Sequence, residues 1–214
     1  MKGTTHLAIG VGIGLAAAAY YPFTPNNAAL YITVAAFSSL SPDLDGNSML
    51  SSKLGKVSKL VRELLLWGGV ALAIGVAYVY YDQRILHQQL ALTAGAAFLL
   101  GFIAKEGSIR NILVSLIGGA VLYWGMMNNI TWMIGFGLFV AIAPWMHHRG
   151  LTHTLWALIA WGAIGAALES ELQLEGISNV AIAGYLSHLI TDTMTPAGVK
   201  WLYPLSKKSI KIMH

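Results

Sequence analysis

The chain has 214 residues, of which 56% are hydrophobic and only 10% are charged, and its mean hydropathy is +0.63. A soluble domain carries about a quarter charged residues, so this composition excludes an ordinary soluble protein and indicates a membrane protein. The formal net charge is +4 and there is no cysteine, which excludes disulfides and thiolate metal sites and leaves histidine and carboxylate as metal ligands.

Apolar segments recur along the whole chain. A bilayer core about 30 Å thick needs roughly 20 apolar residues per helix, with a lower limit of about 17. We therefore predict an all-α polytopic membrane bundle, forming a single integral membrane domain over 1–214. Because many apolar segments follow the first one, we expect it to be retained as a helix rather than cleaved as a signal peptide. The eight predicted transmembrane helices, some of them short, span roughly 6–23, 28–41, 64–81, 89–104, 110–127, 130–146, 154–168 and 177–191.

The connection between the second and third apolar segments has a different pattern. In SMLSSKLGKVSKLVRELL the apolar residues recur every three or four positions and the lysines occupy the other face. This pattern predicts a basic amphipathic helix near 50–62 that lies on the membrane surface. Such a helix is either an interfacial anchor or a cover for a site beneath it.

The charges between the predicted helices fix an orientation. With eight crossings, the side of the N-terminus receives nearly all of the lysines and arginines, whereas the opposite side receives only Arg84 among the basic residues. Positive charge is enriched in cytoplasmic loops. We therefore expect both termini on the cytoplasmic side of a multi-pass protein. The acidic residues on the opposite side are Asp82, Glu169, Glu171 and Glu175.

Seven histidines and aspartates fall on the cytoplasmic side, at the ends of predicted helices. His188 and Asp192 are four residues apart, so both project from one helix face. Asp43 and Asp45 lie in a turn that ends at Gly46. Since hydrophobic patterning requires no such gathering, it predicts a metal site. The candidate ligands are His6, Asp43, Asp45, His148, His153, His188 and Asp192, whereas His87, His147 and His214 are left out.

This ligand set has nitrogen and oxygen donors but no thiolate. It suits zinc first, with manganese or iron as alternatives, and one or two ions. A second ion would need a bridging carboxylate from Asp43, Asp45 or Asp192. Arg149 could clamp a phosphate, so we expect Asp43, Asp45 and Arg149 to serve catalysis. Thr152 and the threonines at 191, 193 and 195 are candidates for orienting the ligands.

Four motifs carry a resemblance to a known family. THLAIG, SPDLDG, HRGLTHT and SHLITDTMTPAGVKWLYPLSKK resemble the motif set of the YdjM-like inner-membrane proteins of bacteria and archaea, which are described as metal-dependent hydrolases. The resemblance covers nearly the whole chain. It implies a multi-helix inner-membrane protein with a metal-dependent hydrolase site at the seven candidate ligands and Arg149. The H-x-x-x-D pattern is also similar to that of the zinc-dependent phospholipase C family, although this chain has fewer histidines.

Taken together, these features predict a membrane-embedded metal-dependent hydrolase with its site at the cytoplasmic face. We expect it to act on a phosphoester such as a phospholipid or another lipid phosphate. A metal-ion or proton transporter, or a non-catalytic protein with a structural metal, remains an alternative. A transporter would need ionisable residues across the whole membrane depth, whereas these gather in one layer. We expect no nucleic-acid partner, because basic and aromatic residues are not interleaved; the oligomeric state is left open.

Overall fold

The computed structural model describes residues 2–46 and 48–212, and this part of the chain contains eight α-helices. Each of the eight predicted apolar segments lies largely within one of these helices, so the all-α fold class is confirmed. His214 lies outside the described residues. In chain order the helices are α1 (Gly3–Tyr20), α2 (Pro25–Leu40), α3 (Ser52–Gln83), α4 (Gln88–Ile103), α5 (Glu106–Asn128), α6 (Thr131–Ile142), α7 (Leu155–Leu172) and α8 (Ile177–Thr193).

The chain divides into two compact units. The first unit comprises Met1–Ser51 and Val114–His214, and the second unit comprises Ser52–Leu113. The expectation of one integral membrane domain over the whole chain stays a prediction.

Glycines in the first unit let α2 be approached closely from two sides. A Cβ atom on Gly10 of α1 would lie 2.8 Å from the carbonyl oxygen of Ala35, and a Cβ atom on Gly184 of α8 would lie 2.7 Å from the same oxygen. Side chains at these two positions would therefore collide with the backbone of α2. Small residues at helix contacts are typical of membrane proteins, where helices associate by close packing. This packing brings the ends of α1, α2 and α8 together.

Two short turns in the first unit interrupt helical structure where the site lies. The chain leaves α2 through a 3-10 turn at Ser41–Asp45, with proline as its second residue. Another 3-10 turn, Leu151–His153, precedes α7, and the hydroxyl of Thr154 then caps α7 by accepting a hydrogen bond from the backbone N–H of Ala157 at 3.3 Å. A capping threonine satisfies a free N–H of the first helical turn. These turns set the directions of the side chains that they carry.

The core of the first unit is anchored by polar atoms of large aromatic side chains. The indole N–H of Trp161 donates to the hydroxyl of Ser38 at 2.9 Å. The buried hydroxyl of Tyr185 donates to the backbone carbonyl of Thr152 at 2.5 Å. Buried tyrosine and tryptophan need such partners because an unpaired polar group in the core is costly. The second bond ties α8 to the turn before α7.

The second unit corrects one expectation. The segment near 50–62 is not a separate surface helix, because α3 begins at Ser52 and continues without a break into the third apolar segment, ending at Gln83. An ion pair between Lys59 and Glu63, 3.9 Å apart at i and i+4, lies across the expected boundary, and such pairs support continuous helix. The segment is helical and basic, as expected, but the expectation that it forms a separate helix is wrong.

Four of the helices are long and apolar enough to cross a membrane, judged by length and composition. They are α1, α3, α5 and α7. Two shorter apolar stretches, Gln88–Ile103 and Thr131–Trp145, are further apolar helices. The chain is thus a helical membrane protein, whereas eight crossings and the orientation of the termini stay predictions.

Candidate metal centre

Four separate parts of the first unit meet at one cluster of imidazoles and carboxylates. They are the first turn of α1, the turn after α2, the loop and turn before α7, and the last turns of α8. All seven candidate ligands lie in this cluster. Three sets have ligand atoms within 4.8 Å of one another: His6, Asp43 and His188; His153, His188 and Asp192; and Asp43, Asp45 and His148.

The centre of the cluster is a pair of facing imidazoles. The Nε2 atoms of His153 and His188 are 3.3 Å apart, and both rings are completely buried. The Asp192 Oδ2 atom lies 3.8 Å from each of these nitrogens. The Asp43 Oδ1 atom lies 3.7 Å from the first nitrogen and 3.5 Å from the second. Two nitrogens and two carboxylate oxygens therefore surround one small volume.

His6 extends this group from α1. Its ring stacks on that of His188, with centroids 3.8 Å apart and planes 18° apart. Its Nε2 atom lies 3.4 Å from Asp192 Oδ1, and its Nδ1 atom lies 3.1 Å from the hydroxyl of Thr191. We call His6, Asp43, His153, His188 and Asp192 the inner cluster.

Hydrogen bonds to the opposite nitrogens fix the tautomers of the two facing rings. The Nδ1 atom of His188 lies 2.7 Å from the backbone carbonyl of Ser39. Because a carbonyl can only accept, Nδ1 carries the proton and Nε2 of the neutral ring presents a lone pair. The Nδ1 atom of His153 lies 3.3 Å from Asp45 Oδ2 and 3.0 Å from the hydroxyl of Thr152. The Thr152 hydroxyl donates its own proton to Asp45 at 2.6 Å, so Nδ1 of His153 donates to the Thr152 oxygen, which again leaves Nε2 facing the cluster.

This arrangement fits a divalent metal. Two lone pairs that face each other at 3.3 Å repel unless a cation or a proton lies between them. Metal-binding histidines usually donate their other N–H to a carboxylate or a carbonyl, as His188 does to Ser39, whereas His153 reaches the Asp45 carboxylate through the hydroxyl of Thr152. The nearby oxygens of Asp43 and Asp192 supply negative charge. Buried nitrogen and oxygen donors without thiolate suit zinc, manganese or iron.

Asp45 has a different environment from the inner cluster. Its Oδ1 atom lies 2.8 Å from Nδ1 of His148, and its Oδ2 atom accepts hydrogen bonds from the backbone N–H of Arg149 at 3.0 Å and the hydroxyl of Thr152 at 2.6 Å. Both oxygens are thus engaged by the loop before α7. These contacts favour an orienting role for Asp45, through His153, over direct ligation.

His148 and Arg149 form the rim of the site together with Asp45. The side chain of His148 is 59% exposed, whereas that of Arg149 is 22% exposed. The Arg149 Nη2 atom pairs with Asp192 Oδ2 at 3.0 Å, while Nη1 donates to the hydroxyl of Thr195 at 3.2 Å and to the carbonyl of Gly198 at 3.3 Å. The rim therefore connects the loop before α7 to the turn after α8.

The charges of the site shift the pKa values of its loop residues. Burial alone would lower the pKa of His153, but hydrogen bonds to Asp43 and Asp45 outweigh it and raise the pKa to about 8. Burial opposes ionisation of both aspartates, yet contact with His153 lowers their pKa values below the usual range. At neutral pH, both aspartates are therefore carboxylates, and the proton carried by His153 competes with a metal ion for that ring.

Two parts of this site are not predicted from the sequence pattern. The carbonyl of Ser39 fixes the tautomer of His188, and a backbone contact leaves no mark in the residue type. Tyr185 holds the loop before α7 through Thr152. Its position three residues before His188, on the same helix face, is the signal that could have identified it.

Comparisons with known proteins identify the family of the chain. No curated protein and no solved structure matches the chain. The family model described as YdjM inner membrane protein matches residues 1–214, the whole sequence. The membrane character expected from composition agrees with this description. The chain belongs to the YdjM inner membrane protein family.

Proposed function

We propose that the protein is a metal-dependent hydrolase of the inner membrane that cleaves a phosphoester of a lipid at the cytoplasmic face. The observation that carries the proposal is the pair of buried Nε2 atoms of His153 and His188, 3.3 Å apart, each ring with a hydrogen bond at its other nitrogen, to Thr152 and to Ser39 respectively. Two imidazole nitrogens held this close can share a proton or bind a metal ion, and the adjacent carboxylates of Asp43 and Asp192 favour the metal ion. Zinc is our first choice, with manganese or iron as alternatives.

The inner cluster supplies the proposed ligands. A divalent metal held there contributes Lewis-acid activation of water at neutral pH. Asp45 and His148 pair with each other at 2.8 Å, and we assign them the role of orienting His153 and closing the rim. The set Asp43, Asp45 and His148 is where a second ion would bind.

Two residues are placed to act on substrate and water. Asp43 is ionised at neutral pH and its side chain is 21% exposed, so it can accept a proton from an attacking water at the open edge of the inner cluster. Arg149 is partly exposed and already balanced by Asp192 at 3.0 Å. Its guanidinium can stabilise the negative charge of a phosphoryl group that approaches the rim. Addition of water across the phosphorus–oxygen bond then gives an alcohol and a phosphate.

The distribution of charge supports the proposed cytoplasmic location of the site. The loops and tail on the side of the site carry most of the basic residues, and such residues attract anionic lipid as well as setting orientation. Three lysines of the tail, Lys200, Lys207 and Lys208, follow the turn at Gly198 that contacts Arg149. An anionic lipid head group therefore meets positive charge near the rim.

The test combines metal analysis with turnover. Purified protein in detergent should contain about one divalent metal per chain, which elemental analysis and an anomalous diffraction map would detect, and should hydrolyse phosphatidic acid in mixed micelles. The variants His153→Ala and Asp192→Ala should lose both the metal and the activity while remaining monodisperse in detergent. Retained activity in both variants would contradict the proposal.

The same measurements separate the alternatives. A structural metal predicts full metal content without turnover on any phosphoester, since a structural site has no open position for water. A transporter predicts metal or proton flux into proteoliposomes that the same variants abolish. Absence of metal from well-behaved protein would remove the hydrolase proposal and the structural-metal reading together.

A further inference from the structure

An apolar groove runs between α6 and α7 in the first unit. Its volume is about 580 Å³, within the range of about 300–1,000 Å³ that is typical of ligand pockets. On the α6 side it is lined by Ile134 and Leu138, one helical turn apart. On the α7 side it is lined by Ala160, Ala163 and Ala167, which share one face because they recur at three- and four-residue spacing.

Small side chains keep this groove open. A Cβ atom on Gly135 would lie 2.9 Å from the Cγ1 atom of Ile164, so α6 and α7 approach closely along the floor. Above this contact, Ala160 and Ala163 are exposed and fill little of the space between the helices. Larger residues at these two positions would occupy the groove.

One end of the groove shares a loop with the candidate metal centre. Met146 and Leu151 line the groove, while Arg149, which lies between them in sequence, belongs to the rim. Thr152 lines the groove as well, and its hydroxyl donates to Asp45 at 2.6 Å. This end of the groove therefore adjoins the loop that carries the rim of the site.

The length of the groove matches one leaflet of a bilayer. The ten-residue separation of Ala157 and Ala167 corresponds to a rise of about 15 Å along α7. Half of a hydrocarbon core about 30 Å thick is also about 15 Å. A groove of this length, apolar along its walls and ending at a polar rim, has the shape and polarity of a lipid chain with its head group.

We propose that the groove between α6 and α7 binds one hydrocarbon chain of the lipid phosphate whose head group reacts at the metal centre. This inference rests on the proposed function for its reaction, but it adds a distinct binding site and a substrate class. The substrate is a phosphate ester with at least one long chain, selected by the depth of the groove. A water-soluble phosphoester makes no contact with the groove.

The test uses a phosphatidic acid that carries a diazirine midway along one acyl chain. After irradiation in detergent micelles, peptides from residues 131–167 should carry most of the label. Ala163→Phe, which fills the groove, should lower this labelling at least tenfold and lower kcat/KM for long-chain phosphatidic acid by a similar factor. The matched control is Ala166→Phe on the same helix, at an exposed position outside the groove lining, and it should leave both unchanged.

Two further measurements keep the groove separate from the chemistry. Metal content should remain at the wild-type value in Ala163→Phe and Ala160→Phe, which shows that both variants fold. His153→Ala should lose turnover but keep the labelling. If no variant or condition gives turnover while the label still maps to the groove, the hydrolase proposal fails and chain binding stands as lipid binding alone.

Three outcomes would overturn the inference. One is label spread evenly over the other apolar helices, and another is equal labelling of Ala163→Phe and Ala166→Phe. The third uses the absence of cysteine from the chain: a disulfide-linked dimer formed by Ala163→Cys in lipid would show that a second copy, rather than a lipid chain, covers the groove.

Discussion

The histidines of the inner cluster and the histidine of the rim lie in opposite environments. His153 and His188 are fully buried, whereas His148 is 59% exposed. The inner imidazoles direct their Nε2 atoms at each other, but His148 directs Nδ1 at a carboxylate that already accepts other hydrogen bonds. Burial of unpaired lone pairs is costly unless a ligand completes them. Orientation and burial of the imidazoles, rather than residue type, therefore distinguish the proposed histidine ligands from His148.

Removal of an inner imidazole should have the largest effect. His188→Ala should lower metal affinity and kcat/KM by more than about 100-fold, beyond the 10–100-fold typical of losing a residue that only orients a ligand. His147→Ala, an exposed neighbour of the rim, should leave both at wild-type values. Elemental analysis and phosphate release in micelles measure the two effects. Equal losses in the two variants would contradict the assignment of His188 as a metal ligand.

Asp45 tests how the rim acts on the inner cluster. Asp45→Asn keeps the shape of the side chain but removes the charge that holds Nδ1 of His153. Metal affinity should fall by about 10–100-fold, as for other carboxylates that orient a histidine ligand. Titration against a competing chelator measures this loss. A loss as large as that of His188→Ala, with less than stoichiometric metal at saturation, would instead make Asp45 a ligand.

The pH dependence of metal binding should test whether His153 is a ligand and whether Asp45 acts through it. The pKa of His153 is raised to about 8 in the absence of metal, so the ring is protonated below that pH and must lose a proton before it can bind. Affinity should therefore rise about tenfold per pH unit up to about pH 8 and level off above it. In Asp45→Asn, which removes one of the two stabilising carboxylates, the break should move to lower pH. An affinity independent of pH between 6 and 8 would contradict the assignment of His153 as a ligand.

The sequence was sufficient to predict the helices and the gathering of the site. Alternating crossings placed His6, the Asp43 turn and the end of α8 on one side of the membrane, and the four-residue spacing of His188 and Asp192 put both on one helix face. All of these residues meet in the structure. The predictable features are therefore those that depend on helical periodicity and on the distribution of charge along the chain.

The different roles of Asp43 and Asp45 could not be predicted. The two aspartates lie in a 3-10 turn, and only its orientation against the loop before α7 decides which one faces the imidazoles. That loop depends on Arg149, whose φ of 59° lies in the left-handed region, where few residues other than glycine are found. The continuity of α3 could not be predicted either, because a change from a basic to an apolar pattern indicates a helix boundary that the structure does not have.

His148 should give the smallest effect and the sharpest test of the comparison. Its imidazole is mostly exposed, and the buried Asp45 carboxylate that it contacts at 2.8 Å keeps hydrogen bonds from Arg149 and Thr152, so the loss should stay near the roughly 0.2–1 kcal/mol of exposed pairs. His148→Ala should therefore lower kcat/KM by less than about fivefold and leave the metal content of the chain unchanged. The number of metal ions per chain shows more clearly than activity whether His148 is a metal ligand. If the wild-type chain holds two ions and His148→Ala holds one, then Asp43, Asp45 and His148 form a second metal site, and the rim belongs to the metal centre.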